Sequence, residues 1–299
     1  MCEDRTGPDD FSEHEAALAR RGLSRRQFGA MGAAAFAASC TTLDGGMGGG
    51  ATNGAALTEG MVDIATPDGA ADAFFVHPAE GRHPAILLWP DVAGLREAFK
   101  VKARKFAAQG YAVLAVNHYY RNARAPILDT FSEWRTPEGS AKIEPMRAAI
   151  NPARTTTDAR AFIAWLDAQP AVDTARGIGT QGYCMGGHYT VRTAAAVPTR
   201  VRAAASLHGG GLVVTESNSP HRILDQTQAA FLFAIAQNDD AKDPSVKTEL
   251  RQAADAANVP AVVEVYPADH GWTVIDSPAY DEAAANRAYA AILSLYEVL

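Results

Sequence analysis

Cys184 stands at the centre of Gly182-Tyr183-Cys184-Met185-Gly186, a thiol with a glycine two residues before it and another two after. A nucleophile lifted from the end of a strand into a sharp turn needs small residues at those two places. The strained backbone brings them against the next strand and helix, where a side chain would collide. The pattern is usually built around serine, but the steric demand falls on the glycines, so cysteine meets it equally. The start of the helix expected behind the turn would favour the thiolate, the reactive form of the sulfur.

Such a nucleophile needs a base, and a third group to orient the base. In a sheet of this wiring both follow the nucleophile on later strand ends, acid before histidine. Asp239 and Asp240 follow an apolar strand ending at Ala236, and His270 follows one ending at Tyr266, within Ala268-Asp269-His270-Gly271-Trp272. His270 is the candidate base. Asp239 is preferred to Asp240 as the acid, although either could be the structural neighbour of the other, and Asp269 adjoins the histidine and would point away from it. His118, at a strand's carboxyl end, is the other histidine to watch, whereas His188 and His208 carry no expected role.

Gly177-x-Gly179-x-x-Gly182 formally matches a dinucleotide-binding fingerprint. That fingerprint requires glycines after the strand and an acidic residue about 20 positions later for the ribose. No Asp or Glu occurs between Asp173 and Glu216, so no dinucleotide is expected. No His/Cys/Asp/Glu cluster has metal-ligand spacing, and no metal or other cofactor is expected.

The elements that must position these groups alternate. Residues 61–66 and 71–77 read as an edge hairpin turning at Pro67-Asp68-Gly69. Residues 84–89 and 111–116 are continuous apolar runs, as expected of central strands covered on both faces, and a helix over 95–109 separates them. Strand, helix, strand is the unit of a parallel sheet. Residues 118–152 hold scattered aromatics and four prolines and read as an excursion over the sheet's carboxyl edge. A helix over 155–169, the strand and elbow at 175–183, and a helix over 185–196 follow. Strands at 201–207, 229–236 and 261–266, a helix near 245–257 and a closing helix over 279–299 complete an α/β domain.

A chain of 299 residues with a net charge of −7 and no basic stripe gives no support to nucleic-acid binding. The apolar run over 28–39 is too short for a membrane span, which needs about 20 residues. It follows Ser24-Arg25-Arg26-Gln27-Phe28 and resembles a twin-arginine export signal, implying a periplasmic or envelope location. Ala37-Ala38-Ser39-Cys40 fits either a small-residue cleavage site or a lipoprotein site with Cys40 acylated, the latter lacking a large aliphatic residue at Ala37. With Cys2 and Cys40 in or beside this segment, Cys184 is the only thiol of the folded domain, and no internal disulfide is expected. The expected organisation is a leader and signal at 1–40, a Gly-rich spacer at 41–60 and one domain at 61–299.

Gly182-Tyr183-Cys184-Met185-Gly186-Gly187, together with Trp89-Pro90-Asp91-Val92-Ala93-Gly94-Leu95-Arg96, Tyr119-Tyr120-Arg121 and His270-Gly271, resembles the dienelactone hydrolase (carboxymethylenebutenolidase) family across 61–299. The resemblance implies a single α/β-hydrolase domain, with a mostly parallel central sheet and helices on both faces. It implies a triad of Cys184, Asp239 and His270 and an oxyanion hole from the N–H groups of Met185 and Val92. The implied substrate is a small lactone or ester, best known in the family as unsaturated five-membered lactones bearing a carboxylate.

Two positions depart from the family pattern. Asp91 replaces a glutamate that in the family interacts with the nucleophile and helps activate it. Arg121 fits the first of two arginines that hold the substrate carboxylate, but the second falls at Val274. These departures are the support for a competing reading, a non-catalytic domain that binds a small acidic metabolite or a partner at the cell envelope.

Overall fold

A computed structural model describes residues 56–299; the paired arginines, Cys2 and Cys40 lie outside the described residues. An eight-stranded sheet runs through them in the order β1-β2-β4-β3-β5-β6-β7-β8. The strands are β1 (Leu57–Thr66), β2 (Gly69–Pro78), β3 (Ala85–Trp89), β4 (Ala112–Val116), β5 (Ile178–Tyr183), β6 (Val201–Leu207), β7 (Ala230–Ala236) and β8 (Ala261–Tyr266). The hairpin β1–β2 is antiparallel and β2 pairs antiparallel with β4, while every other pairing is parallel. β1 begins at Leu57, inside the stretch read from sequence as spacer.

Strands β3, β4 and β7 are apolar throughout because both faces are covered. One face carries α4 (Pro152–Asp167), α5 (Gly187–Ala196) and α7 (Ser245–Ala256), with Phe162, Ile163, Leu166, Tyr189 and Val191 packed on the sheet. The other carries α1 (Glu97–Ala107) and α8 (Glu282–Leu295), which bury Phe99, Phe106, Ile292 and Leu295. A shorter helix, α6 (Gln237–Lys242), opens directly from β7 and carries Asp239 and Asp240.

The strand order reverses about β3: the chain steps from β3 to β4 on one side, then returns past β3 to β5 on the other. Open α/β sheets bind ligands at the carboxyl end of such a reversal. Here that places the loop after Trp89 beside the turn after Tyr183.

The excursion over 118–152 contains two helices not expected from sequence, α2 (Phe131–Trp134) and α3 (Pro137–Ala148). α3 buries only Gly139 and Ile143 and holds Pro145 in its interior, so it lacks the apolar stripe that marks a helix in sequence. Its N-cap is nevertheless conventional: the Thr136 hydroxyl accepts from the Gly139 N–H and Pro137 occupies the first turn.

Candidate active site

Cys184 has φ 53°, a left-handed conformation that costs a non-glycine residue about 1–3 kcal/mol. Its neighbours hold it there. A Cβ on Gly182 would lie 2.0 Å from the Gly186 carbonyl oxygen, and one on Gly186 would lie 2.4 Å from the Pro90 oxygen. Only glycine permits both approaches, and the second shows how tightly the end of β3 presses on the elbow.

The Cys184 N–H donates to Nδ1 of His208 at 3.1 Å, and the Gly210 N–H donates to the Cys184 carbonyl at 3.2 Å. The segment after β6 therefore clasps the strained residue from both sides. Because Nδ1 accepts, His208 carries its proton on Nε2, which donates to the Thr273 hydroxyl at 2.9 Å. Burial, the nearby His270 and Lys102 push the His208 imidazole well down, keeping it neutral. Sequence gave this histidine no role; its one signal is its place at a strand's carboxyl end before three glycines.

His270 is half-buried and held at two points. Its N–H donates to the Asn238 side-chain oxygen at 2.9 Å, and its Nδ1 lies 2.5 Å from Asp239 Oδ2. Burial alone would lower its pKa, but Asp239 and the Cys184 sulfur outweigh burial and raise it to about 10. The Cys184 sulfur thus acts on the ring as a hydrogen-bond acceptor as well as by its charge. Asp240 faces elsewhere, 2.8 Å from Lys247 Nζ.

Val92 and Met185 are drawn together by the buried Tyr119. Its hydroxyl donates to the Val92 carbonyl at 2.9 Å and lies 3.9 Å from the Met185 sulfur. Outside the regular ladders, neither the Val92 nor the Met185 N–H donates a hydrogen bond among the described residues. Both are thus available to an acceptor in the cleft.

Asp91 is buried and both its oxygens are taken by Arg96, at 2.7 and 2.9 Å, while Oδ1 also accepts from the Ala93 N–H. Burial raises the Asp91 carboxyl against the pull of that guanidinium. Arg96 in turn binds Asp276 through Nε and Nη2. This Asp91–Arg96–Asp276 cluster braces the loop that carries Val92; it does not direct Asp91 at the sulfur.

Arg121 is likewise committed. Its two Nη atoms pair with Asp158 at 2.8 and 2.7 Å and its Nε with Asp68 at 2.8 Å. Another cation, Arg147 of α3, lines a cleft with Met185, His188 and Tyr189 beside the elbow. It is exposed, and among the described residues its only ion pair is with Glu144 in the preceding turn. His118 is buried next to Tyr119, with neither ring nitrogen partnered, and burial pushes it down to about 3. His188 sits on the Gly210 carbonyl.

Among the described residues, no group of His, Cys, Asp and Glu could hold a metal ion, and no helix is long and apolar enough to cross a membrane. The family model described as "Dienelactone hydrolase family" matches residues 71–298. A Synechocystis sp. relative that carries the name carboxymethylenebutenolidase provisionally is 28% identical over 224 residues, 73% of this chain and 87% of its own. The carboxymethylenebutenolidase of a Pseudomonas sp. is 24% identical over 254 residues, 80% of this chain and 94% of its own. A Klebsiella pneumoniae crystal structure, provisionally titled a dienelactone hydrolase, superposes with TM-score 0.71 at 23% identity, covering 82% of this chain and 100% of that one. With strands β3 to β8, the elbow at Cys184, Asp239 and His270 all inside the matched span, this chain belongs to the dienelactone hydrolase family.

Proposed function

We propose that the protein hydrolyses a lactone or small carboxylic ester through a Cys184–His270–Asp239 triad and an acyl-enzyme intermediate. The observation that carries this reading is Cys184 held at positive φ beside a histidine whose other nitrogen is bound to Asp239. In the resting site His270, raised to about 10, holds a proton beside the Cys184 sulfur.

The thiolate attacks the acyl carbon, and the negative charge that develops on the carbonyl oxygen is met by the Met185 and Val92 N–H groups. The ring C–O bond breaks, the departing alkoxide takes the proton from His270 Nε2, and a thioester remains on Cys184. Water then attacks the thioester carbon and gives a proton back to His270. The C–S bond breaks, releasing the carboxylic acid product and the thiolate. Asp239 keeps the ring in the tautomer that presents Nε2 to the sulfur.

Arg121 was the expected anchor for a substrate carboxylate, but its pairing with Asp158 and Asp68 leaves its charge largely neutralised. Arg147, in the cleft at Met185, is better placed to meet an anionic group on the substrate. The export signal at Arg25-Arg26 would place this activity in the periplasm or at the envelope.

The test is hydrolysis of a panel of five-membered lactones and aryl esters by wild type and Cys184→Ala, with mass spectrometry of the acylated protein. Loss of about a thousandfold or more in the variant, with a trapped adduct at Cys184 in wild type, is expected. Full activity in Cys184→Ala would overturn the reading.

A further inference from the structure

A second cavity, of about 160 Å³, lies between α1 and α8 on the far side of Tyr183 from the cleft. Its wall is apolar, from Ala98, Phe106, Ala288 and Ile292, and its mouth is flanked by Val101, Ile275 and Tyr280, all exposed. A lined space of about 150 Å³ is enough for one aromatic ring.

Two lysines and Tyr183 interrupt this wall, beside Thr273 and Asn286. Lys102 Nζ donates to the Thr273 carbonyl at 2.7 Å, which uses one of its three N–H bonds. Lys105 Nζ donates to the Asn286 side chain at 3.2 Å. Neither ammonium has a carboxylate partner among the described residues, and no acidic side chain lines the cavity. Tyr183, 1% exposed, also lines the cavity, with Lys102 Nζ 4.7 Å from its ring centroid. Burial and the neighbouring Lys105 push Lys102 down to about 7, outweighing the opposing pull of Asp91.

We propose that this cavity is an accessory binding site for a small carboxylate with an apolar body. The carboxylate meets Lys102, Lys105 and the Tyr183 hydroxyl, and the apolar body lies against Phe106 and Ile292. An anion supplies the charge and the acceptors that the cavity lacks, and an aromatic or short aliphatic body fills the remainder. The site goes beyond the hydrolytic reading and does not depend on it.

The site also has a path to the elbow. Lys102 holds the Thr273 carbonyl, the Thr273 hydroxyl accepts from His208, and His208 accepts from the Cys184 N–H. Occupancy therefore acts on the residue that fixes the nucleophile's backbone.

The test uses the full chain with Cys184 alkylated by iodoacetamide, so that acylation at the cleft does not contribute. Benzoate and the neutral isostere benzamide are titrated calorimetrically. Benzoate is expected to bind one to one and benzamide about tenfold more weakly or not at all, since a charge-assisted hydrogen bond is lost. Lys102→Met, with unchanged circular dichroism, should weaken benzoate at least about tenfold, and Arg147→Ala should leave it unchanged. If Lys102→Met fails to fold, Lys105→Met and the cavity-filling Ala288→Leu carry the same expectation. Benzoate binding that is absent, that survives Lys102→Met or its substitutes, or that disappears in Arg147→Ala would overturn the proposal.

Discussion

Asp239 Oδ2 lies 2.5 Å from His270 Nδ1, whereas Asp240, one residue on, turns to Lys247 at 2.8 Å. Adjacent residues in the first turn of a helix differ in direction by about 100°, so only one of the two can face the histidine loop. Asp239→Asn should lower kcat on a lactone by about a thousandfold to ten-thousandfold, because an amide can donate to Nδ1 and favour the wrong ring tautomer. Asp240→Asn should stay within about threefold of wild type. Steady-state kinetics on the two variants checks this, and the reverse ranking would place the acid at Asp240.

His270 is raised from 6.5 to about 10, with Asp239 and the sulfur outweighing burial. A group raised in the folded state binds its proton more tightly there than in the unfolded chain. Its contribution to stability is therefore complete below about pH 6.5 and declines as pH rises through about 10. The imidazole Cε1 proton, followed by NMR, should titrate with a midpoint near 10 in wild type and closer to the ordinary value in Cys184→Ala. A wild-type midpoint near 6.5 would mean that no imidazolium is held at neutral pH.

Arg121 and Arg147 should separate in a paired experiment. Arg121→Ala leaves the buried Asp158 without its bidentate partner and should cost about 3 kcal/mol in urea unfolding, Tyr120 still donating to that carboxylate. Its KM for carboxylate-bearing lactones, relative to neutral ones, should not change. Arg147→Ala should leave stability within about 0.5 kcal/mol, since its pair with Glu144 is exposed. It should raise KM for carboxylate-bearing lactones about tenfold and spare neutral ones. Equal selectivity in all three proteins would remove both arginines from substrate binding.

His118 is buried with two unpartnered ring nitrogens, a costly arrangement that an apolar side chain would avoid. His118→Leu should be neutral or stabilising by about 1 kcal/mol in thermal or urea unfolding. A loss of more than about 1 kcal/mol would show that the imidazole has a partner, such as an ordered water.

Much of this protein follows from local chemistry in the sequence. The both-sides-apolar runs at 85–89, 112–116 and 230–236 can only be central strands, and the glycines around Cys184 can only serve an elbow that no Cβ could enter. The order of thiol, acid and histidine follows the same wiring. Helices α2 and α3 were not legible, because they bury too little to impose a period and are set by caps and by packing across the cleft.

Tertiary structure alone decided which charges are free. Asp91 and Arg121 stand out as candidates in sequence and Arg147 does not, since a side chain's letter carries no record of its partner. In the fold Asp91 meets Arg96, and Arg121 meets Asp158, 37 residues away, while among the described residues Arg147 pairs only with its exposed neighbour Glu144. His208 shows the same limit. Twenty-four residues separate it from Cys184, and only the parallel pairing of β5 and β6 brings its ring beneath the nucleophile's N–H. Local pattern determines backbone, but long-range pairing determines electrostatics, because the free energy of a charge depends on what the fold places within a few ångströms of it.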